Sequence, residues 1–436
     1  MLSTKKIFLF WVPLAATWLM MSVEGPFLAA IIARLDFPKY NLAAFGVAFS
    51  FALIIEAPII MIMSASTALV DNRDDYFTLR NYTFILNSAI TLLMLILLTP
   101  TVFYFLTENL IGLPHNVAKI THITSVLLIP WPAAIGFRRF YHGLLIKHDL
   151  TKLVAYGTIV RLIFMASTAL FLFSIKITGA YIGGAALSIG VVSESLFTRI
   201  VSERTIKSIL NNNYEKREKL NFKYISKFYF PLALTTILAL GVHPMVTFFM
   251  GKSRFPIESL AVLPVINSLV FIFRSLGLSY QEVIIALLGT NKKNYEGLKN
   301  FALVLGLFLF ASLSLIVFTP FIFFWFQKVS GLSTELSMFS ILPAKILVIL
   351  PVLTLFISFQ RSLLVHTKET EPIKGASIIE IIIIIFSLFV TVKYFMLPGA
   401  ISAAISYVVG RLFANMYLLP SQLKAIETLK KSYSER

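Results

Sequence analysis

The chain has 436 residues, 58% of them apolar and 14% charged, with a mean hydropathy of +0.84 and a formal net charge of +17. Soluble chains run near about 45–50% apolar and about 25% charged, so these figures exclude a soluble protein and, with it, a basic soluble domain that would carry nucleic acid. The absence of cysteine excludes a disulfide framework, a thiolate metal site and a thiol nucleophile.

A helix needs about 20 predominantly apolar residues to cross a hydrocarbon core of about 30 Å. In chain order, such runs fall at 7–33, 42–70, 82–106, 117–145, 153–175, 180–200, 225–250, 257–288, 300–326, 336–364, 373–397 and 400–420. Lys5 and Lys6 ahead of the first run have the look of a signal peptide, but the run outlasts a signal h-region and contains Glu24, so it reads as a retained span. The chain is therefore expected to be an all-α polytopic membrane protein with twelve transmembrane helices. An even number of spans places both termini on one side. Lys and Arg in the connections on that side number 24, against eight on the other, which predicts cytoplasmic termini in a cell (inner) membrane.

The long connection 201–224 carries the basic run from Asn211 to Lys219 and falls near mid-chain, which invites a comparison of the halves. Phe10-Trp11-Val12-Pro13-Leu14-Ala15-Ala16-Thr17 aligns with Phe228-Tyr229-Phe230-Pro231-Leu232-Ala233-Leu234-Thr235 at an offset of 218, and Pro26 falls on Pro244. Leu42-Ala43, Val47 and Ser50 fall on Leu260-Ala261, Val265 and Ser268; at 219, Pro132 and Leu144-Leu145 fall on Pro351 and Leu363-Leu364. The expected organisation is two parallel six-helix repeats: an N-terminal lobe 1–200, a cytoplasmic basic linker 201–224, a C-terminal lobe 225–420 and a cytoplasmic tail 421–436. Parallel repeats related by an axis along the membrane normal are a transporter architecture.

Charges inside spans carry the functional expectations, because an ionised side chain at mid-membrane costs about 2.5–3.5 kcal/mol on insertion scales and must face a cavity or a partner. Glu24, in Glu24-Gly25-Pro26, is the first candidate for coupling to an ion, since a carboxyl beside a helix kink can bind and release a proton as its surroundings wet. His243, beside Pro244 in the equivalent span, is the second. Glu56 and Arg274 are repeat equivalents of opposite charge, as are Arg161 and Glu380, which suits either an inter-lobe salt bridge or pairing inside each lobe. Arg274, Lys345 and Arg361 make the second half cationic, fitting an anionic solute or a lipid pyrophosphate, while Glu24 and Glu56 make the first acidic. Arg138, Arg139, Glu282 and Arg411 read as side chains snorkelling at span ends.

No G-x-x-x-x-G-K-[ST] loop occurs, the six histidines show no metal-ligand spacing, and no H-E-x-x-H is present, so neither an enzyme, a cofactor nor a bound metal is expected. The forty phenylalanines are scattered evenly and read as lipid-facing and core residues.

The pattern of spans 1 and 2, Pro13-Leu14, Thr17, Glu24, Ile32-Ala33, Leu42-Ala43, Gly46-Val47-Ala48, Ser50 and Pro58, resembles the opening of the progressive ankylosis protein family. So does His142-Gly143-Leu144-Leu145-Ile146-Lys147-His148 followed by Leu153-Val154. That family is similar to the multidrug/oligosaccharidyl-lipid/polysaccharide (MOP) flippases, which include the MATE multidrug exporters. The resemblance implies alternating access between two lobes, driven by a proton or sodium gradient, with export as the usual direction. It implies a small anion as substrate if the ankylosis-like branch holds, and an organic cation if the MATE branch does. MATE relatives commonly couple through an acid in span 1, for which Glu24 is the nearest residue here. A major facilitator would also have twelve spans, but its G-x-x-x-D-R-x-G-R loop is replaced here by Val70-Asp71-Asn72-Arg73-Asp74-Asp75.

The expected function is thus a secondary transporter exporting a small polar or amphipathic solute, an organic anion first. The alternatives are a MATE-type exporter of organic cations, a flippase for a lipid-linked precursor and, without transport, a membrane scaffold. The expected partners are the solute, H+ or Na+, and the bilayer, with no nucleic acid.

Overall fold

The computed structural model describes the whole chain except residues 1–3, 149, 212–219, 289–291, 368, 370 and 435–436. Among the described residues, twelve helices are long and apolar enough to cross a membrane. They are α1 Thr4–Ile32, α2 Pro38–Glu56, α3 Arg73–Leu97, α4 His115–Lys147, α5 Thr151–Ser174, α6 Gly179–Val201, α7 Phe222–Gly251, α8 Pro256–Leu287, α9 Asn294–Val317, α10 Thr334–His366, α11 Glu371–Lys393 and α12 Gly399–Glu427. The helix containing α12 continues to Ser434, through most of the segment expected as a tail. The core of the expected linker, 212–219, lies outside the described residues.

Two spans are displaced from their hydropathy positions for a local reason. α3 begins at Arg73, because Asn72 caps it by accepting from the Asp75 amide at 2.9 Å, and Asp74 and Asp75 stabilise its N-terminal turn. It stops at Leu97 ahead of Thr99-Pro100, and α9 stops at Val317 ahead of Thr319-Pro320, since proline cannot continue the hydrogen-bond ladder. After each break the chain resumes and passes into a wide π-helical turn, Phe105–Ile111 and Phe324–Val329.

The backbone repeats the duplication read in the sequence. Among the described residues, positive φ occurs at Phe37 and Phe255, at Gly112 and Gly331, and at Lys176 and Met396, pairs spaced 218, 219 and 220 positions apart. Side-chain residues reach the left-handed region only at a cost of roughly 1–2 kcal/mol, so left-handed turns at three matching places, two of them at non-glycine residues, mark two copies of one chain path. Gly331 is needed twice over: its φ is +74°, and a Cβ there would stand 3.0 Å from Nη1 of Arg34. Arg34 in turn donates to the carbonyls of Lys328 (2.5 Å) and Val329 (2.9 Å), closing the end of the π-turn.

The chain divides into two compact units, one of Met1–Arg34 with Phe249–Arg436 and one of Leu35–Phe248. The opening helix of each half therefore packs mainly with the other five helices of the opposite half. In the first unit α1 runs along α8: Trp11 donates to Ser279 Oγ at 2.8 Å, Trp18 donates to Glu282 at 3.3 Å, and Gly25 stands against the Cβ of Ser268. Trp11 and Ile7 complete an apolar core with Tyr280, Ile284, Phe301, Leu355 and Phe359. In the second unit α7 docks on α3 through Tyr229, whose ring packs on Tyr82 and whose hydroxyl donates to the carbonyl of Pro58. Lipid offers little hydrophobic drive between helices, so contacts of this kind, hydrogen bonds and close approach at small residues, hold such bundles together.

Candidate functional site: buried charges in each unit

The unit Leu35–Phe248 gathers ionisable side chains from four helices. Glu56 ends α2, where Pro58 stops the helix, and its carboxylate accepts from the indole of Trp131. Trp131 stands just past the break in α4 at Leu128–Ile129, and the same segment presents Arg138, Arg139 and His142 over the next three turns. Glu194 of α6 is fully buried. Arg138 donates to its Oε2, the Nε of Arg161 on α5 lies 3.6 Å from the same oxygen, and His142 Nε2 lies 3.9 Å from Oε1. Thr198, one turn along α6, sits 3.3 Å from His142 Nε2. Arg139 donates to the sulfur of Met63 at 3.6 Å and lies close enough to Glu56 and Glu194 to interact with both electrostatically.

Desolvating a lone ion costs several kcal/mol or more, so charges persist inside a bundle only when opposed by others. Three guanidinium groups here face two carboxylates. The helices approach closely enough to exclude filler: a Cβ on Gly157 would stand 3.4 Å from Glu194 Cγ, and one on Gly190 would stand 3.1 Å from the carbonyl of Arg161.

The other unit repeats the theme with the polarity turned over. Glu380 of α11 accepts from Arg411 Nε of α12 at 2.8 Å, whereas on the equivalent helices α5 and α6 the base is Arg161 and the acid Glu194. Arg274 of α8 donates to Thr354 of α10 at 3.3 Å, and Arg361 of α10 donates to Ser377 of α11 at 3.3 Å. Arg411 and Glu380 both lie within electrostatic reach of Arg274 and of Arg361, and Tyr407 within reach of Arg274. Behind them Asn415 donates to the carbonyl of Leu353 at 3.1 Å, and Gln360 donates to Gln422 at 2.9 Å. Among the described residues, the buried Oδ1 of Asn415, the Oε1 of Gln360 and the Nε of Arg361 have no hydrogen-bond partner. Three arginines here face one glutamate.

Glu56, Arg161, Arg274 and Glu380 thus have polar partners within their own units. Lys345 stands apart: it is exposed on α10, with its ammonium 5.6 Å from the centre of the Phe318 ring. Glu24 is half-buried at the start of the second segment of α1, just past the break at Val23, and His243 is half-buried on α7. Arg138, Arg139 and Arg411, read from sequence as snorkelling side chains, are instead drawn inside by acids on neighbouring helices. Glu194, an acid that the sequence places inside a span, and Trp131 join this cluster although neither is among the candidate site residues read from the sequence. The signal for Glu194 was available: it lies on the span adjacent to that of Arg161, at a matching distance from the shared α5–α6 connection.

No protein-family model matches the sequence, and no curated protein matches it. Solved structures do match. A multidrug resistance MATE family transporter of the MOP superfamily, in an inward-facing conformation, superposes with a TM-score of 0.71 at 14% identity, over 95% of this chain and 96% of that one. The lipid II flippase MurJ gives 0.68 at 16% identity, over 96% and 91%. A MOP superfamily transporter from Pyrococcus furiosus, described by the reverse polarity of its binding pocket, gives 0.65 at 16% identity, over 98% and 97%. The chain is accordingly a polytopic all-α membrane protein of twelve apolar helices. Its fold is shared with these solved MATE and MOP superfamily transporters and with the flippase MurJ.

Proposed function

We propose that this protein is a secondary active transporter that exports a small organic anion across the cell membrane by alternating access, coupled to a proton or sodium gradient, with both termini cytoplasmic. The observation that carries the anion is the excess of arginines over glutamates in the charge cluster of each unit: Arg138, Arg139 and Arg161 against Glu56 and Glu194, and Arg274, Arg361 and Arg411 against Glu380. Guanidinium groups bind carboxylate and phosphate oxygens in forked pairs and stay charged inside a bundle. Glu24 is the proposed coupling acid and His243 the second. The fold likeness supports transport as the general task, and the 24-to-eight distribution of basic loop residues supports the orientation. Purified protein in liposomes under an imposed pH gradient tests this reading: it predicts flux of citrate or pyrophosphate, and no flux in any arm would favour a scaffold.

A flippase for a lipid-linked precursor is the second reading. A cavity of about 440 Å³ between α9, α10 and α12, lined by Leu303, Leu307, Phe310, Ile349, Val352 and Phe356, would suit an acyl or isoprenoid chain. Movement of a labelled lipid-linked sugar between leaflets, with no anion flux, would select it over export of a soluble anion. An organic cation exporter is the remaining transport alternative and would rely on Glu24 and Glu56.

A further inference from the structure

On α3, Arg73, Phe77, Arg80 and Phe84 are spaced four, three and four residues apart and so form one stripe along the helix. Their side chains interleave. The guanidinium carbon of Arg80 lies 4.7 Å from the centre of the Phe77 ring, 5.7 Å from that of Tyr76 and 5.8 Å from that of Phe84, and Arg73 lies 5.9 Å from Phe77. Phe84 stacks on Phe137 of α4 at 6.3 Å, Phe137 meets Tyr141 at 4.9 Å, and the Tyr141 ring lies beneath Arg199 of α6 at 5.5 Å. Three guanidinium groups are therefore mounted on one aromatic patch, at the start of α3 and the ends of α4 and α6.

Three nearby acids are already engaged, while Asp74 is exposed on the first turn of α3. Asp71 pairs with Lys147, Asp75 accepts from the amide of Asp71 at 3.2 Å, and Glu203 pairs with Lys207 at 2.7 Å. Among the described residues Arg73, Arg80 and Arg199 form no ion pair, and the only hydrogen bond of Arg80 runs to its neighbour Asn81 at 3.3 Å. Its Nε is buried under the rings without a partner. The patch adjoins the apolar stretch of α3, only 28% of which is buried inside the protein, and Phe84 and Ile85 at their junction are exposed.

We propose that Arg73, Arg80 and Arg199 form a binding site for the phosphodiester of an anionic phospholipid, in the leaflet at the start of α3, with its acyl chains lying along Phe84 and Ile85. The rings fix the guanidinium planes, so the forked donors meet phosphate oxygens with little ordering left to do. A zwitterionic lipid offers the same phosphate with an ammonium attached, which the three cations repel; an anionic headgroup gains from all three. Under the orientation proposed above the leaflet is the cytoplasmic one, and the site is independent of the transported solute.

The test uses the full chain in phosphatidylcholine vesicles doped with spin-labelled phosphatidylglycerol, reading the fraction of motionally restricted probe. Preference for phosphatidylglycerol over spin-labelled phosphatidylcholine is expected, falling about tenfold in Arg80→Gln/Arg199→Gln. Arg80→Lys/Arg199→Lys, which keeps the charge and loses the fork, should retain part of it, and the melting temperature of each variant reports folding. Equal restriction of the two lipids, or an unchanged preference in a folded glutamine variant, would overturn the proposal. Millimolar inorganic phosphate should leave the probe bound; displacement by phosphate would show a site for the free ion rather than for lipid.

Discussion

Glu194 lies against basic side chains from two neighbouring helices, Arg138 and His142 of α4 and Arg161 of α5. Replacing its carboxylate removes the charge that pairs with Arg138 and lies 3.6 Å from Arg161, and breaking a buried pair of this kind costs about 3–5 kcal/mol. Glu194→Gln should therefore lower the melting temperature and yield of purified protein markedly, and adding Arg138→Gln should restore part of the loss. A single variant as stable as the parent would remove the network from the stability account. Across α11 and α12, exchange of the partners in Glu380→Arg/Arg411→Glu should be better tolerated than Glu380→Arg alone, because the 2.8 Å contact survives with its ends reversed. Glu24→Gln has the opposite profile. It should leave folding and membrane insertion intact and abolish gradient-driven flux, and full activity with an unaltered pH dependence would take Glu24 out of the coupling mechanism.

Among the elements, α4 carries Arg138, Arg139 and His142 of the charge cluster in its unit, and its own position depends on glycine. A Cβ at Gly143 would stand 1.8 Å from Ser66 Oγ and 2.4 Å from the backbone carbonyl of Met63, on the short helix Ile62–Leu69. The clash with backbone outweighs the roughly 0.5–1 kcal/mol that alanine gains over glycine inside a helix. Gly143→Ala should accordingly destabilise the protein and shift Arg138 and Arg139, read as a lower melting temperature and reduced flux. Gly306→Ala on α9 meets only ordinary contacts at 3.5 and 3.9 Å and should be neutral or stabilising. Gly143→Ala behaving like Gly306→Ala would contradict the packing described for α4.

The same elements show what hydropathy could and could not reveal. Twelve spans were legible because lipid demands long apolar helices, and the duplication was legible because Pro13, Pro26 and Pro132 recur in register. The start of α3 was not, since its first turns carry Arg73, Asp74, Asp75 and Arg80 and are specified by the Asn72 cap rather than by apolarity. The π-turns after Pro100 and Pro320 were hidden inside runs of phenylalanine that continue the hydropathy signal without continuing the helix. The charged residues were visible one by one, but partners such as Arg138 and Glu194, 56 positions apart, are joined only by the packing of α4 on α6.

At the scale of the whole molecule, two duplicated halves exchange their first helices, and each resulting unit holds a charge cluster in which arginines outnumber glutamates. A carrier of organic cations would be expected to present the reverse balance, so substrate charge is the claim on which the functional account turns. The direct measurement is flux into or out of proteoliposomes under an imposed pH gradient, comparing citrate, pyrophosphate and ATP with a cationic dye. The account predicts movement of one or more of the anions, lost on Arg274→Gln and slowed by collapse of the gradient. Movement of the dye alone would contradict it, and would place the transport chemistry on Glu24 and Glu56 instead.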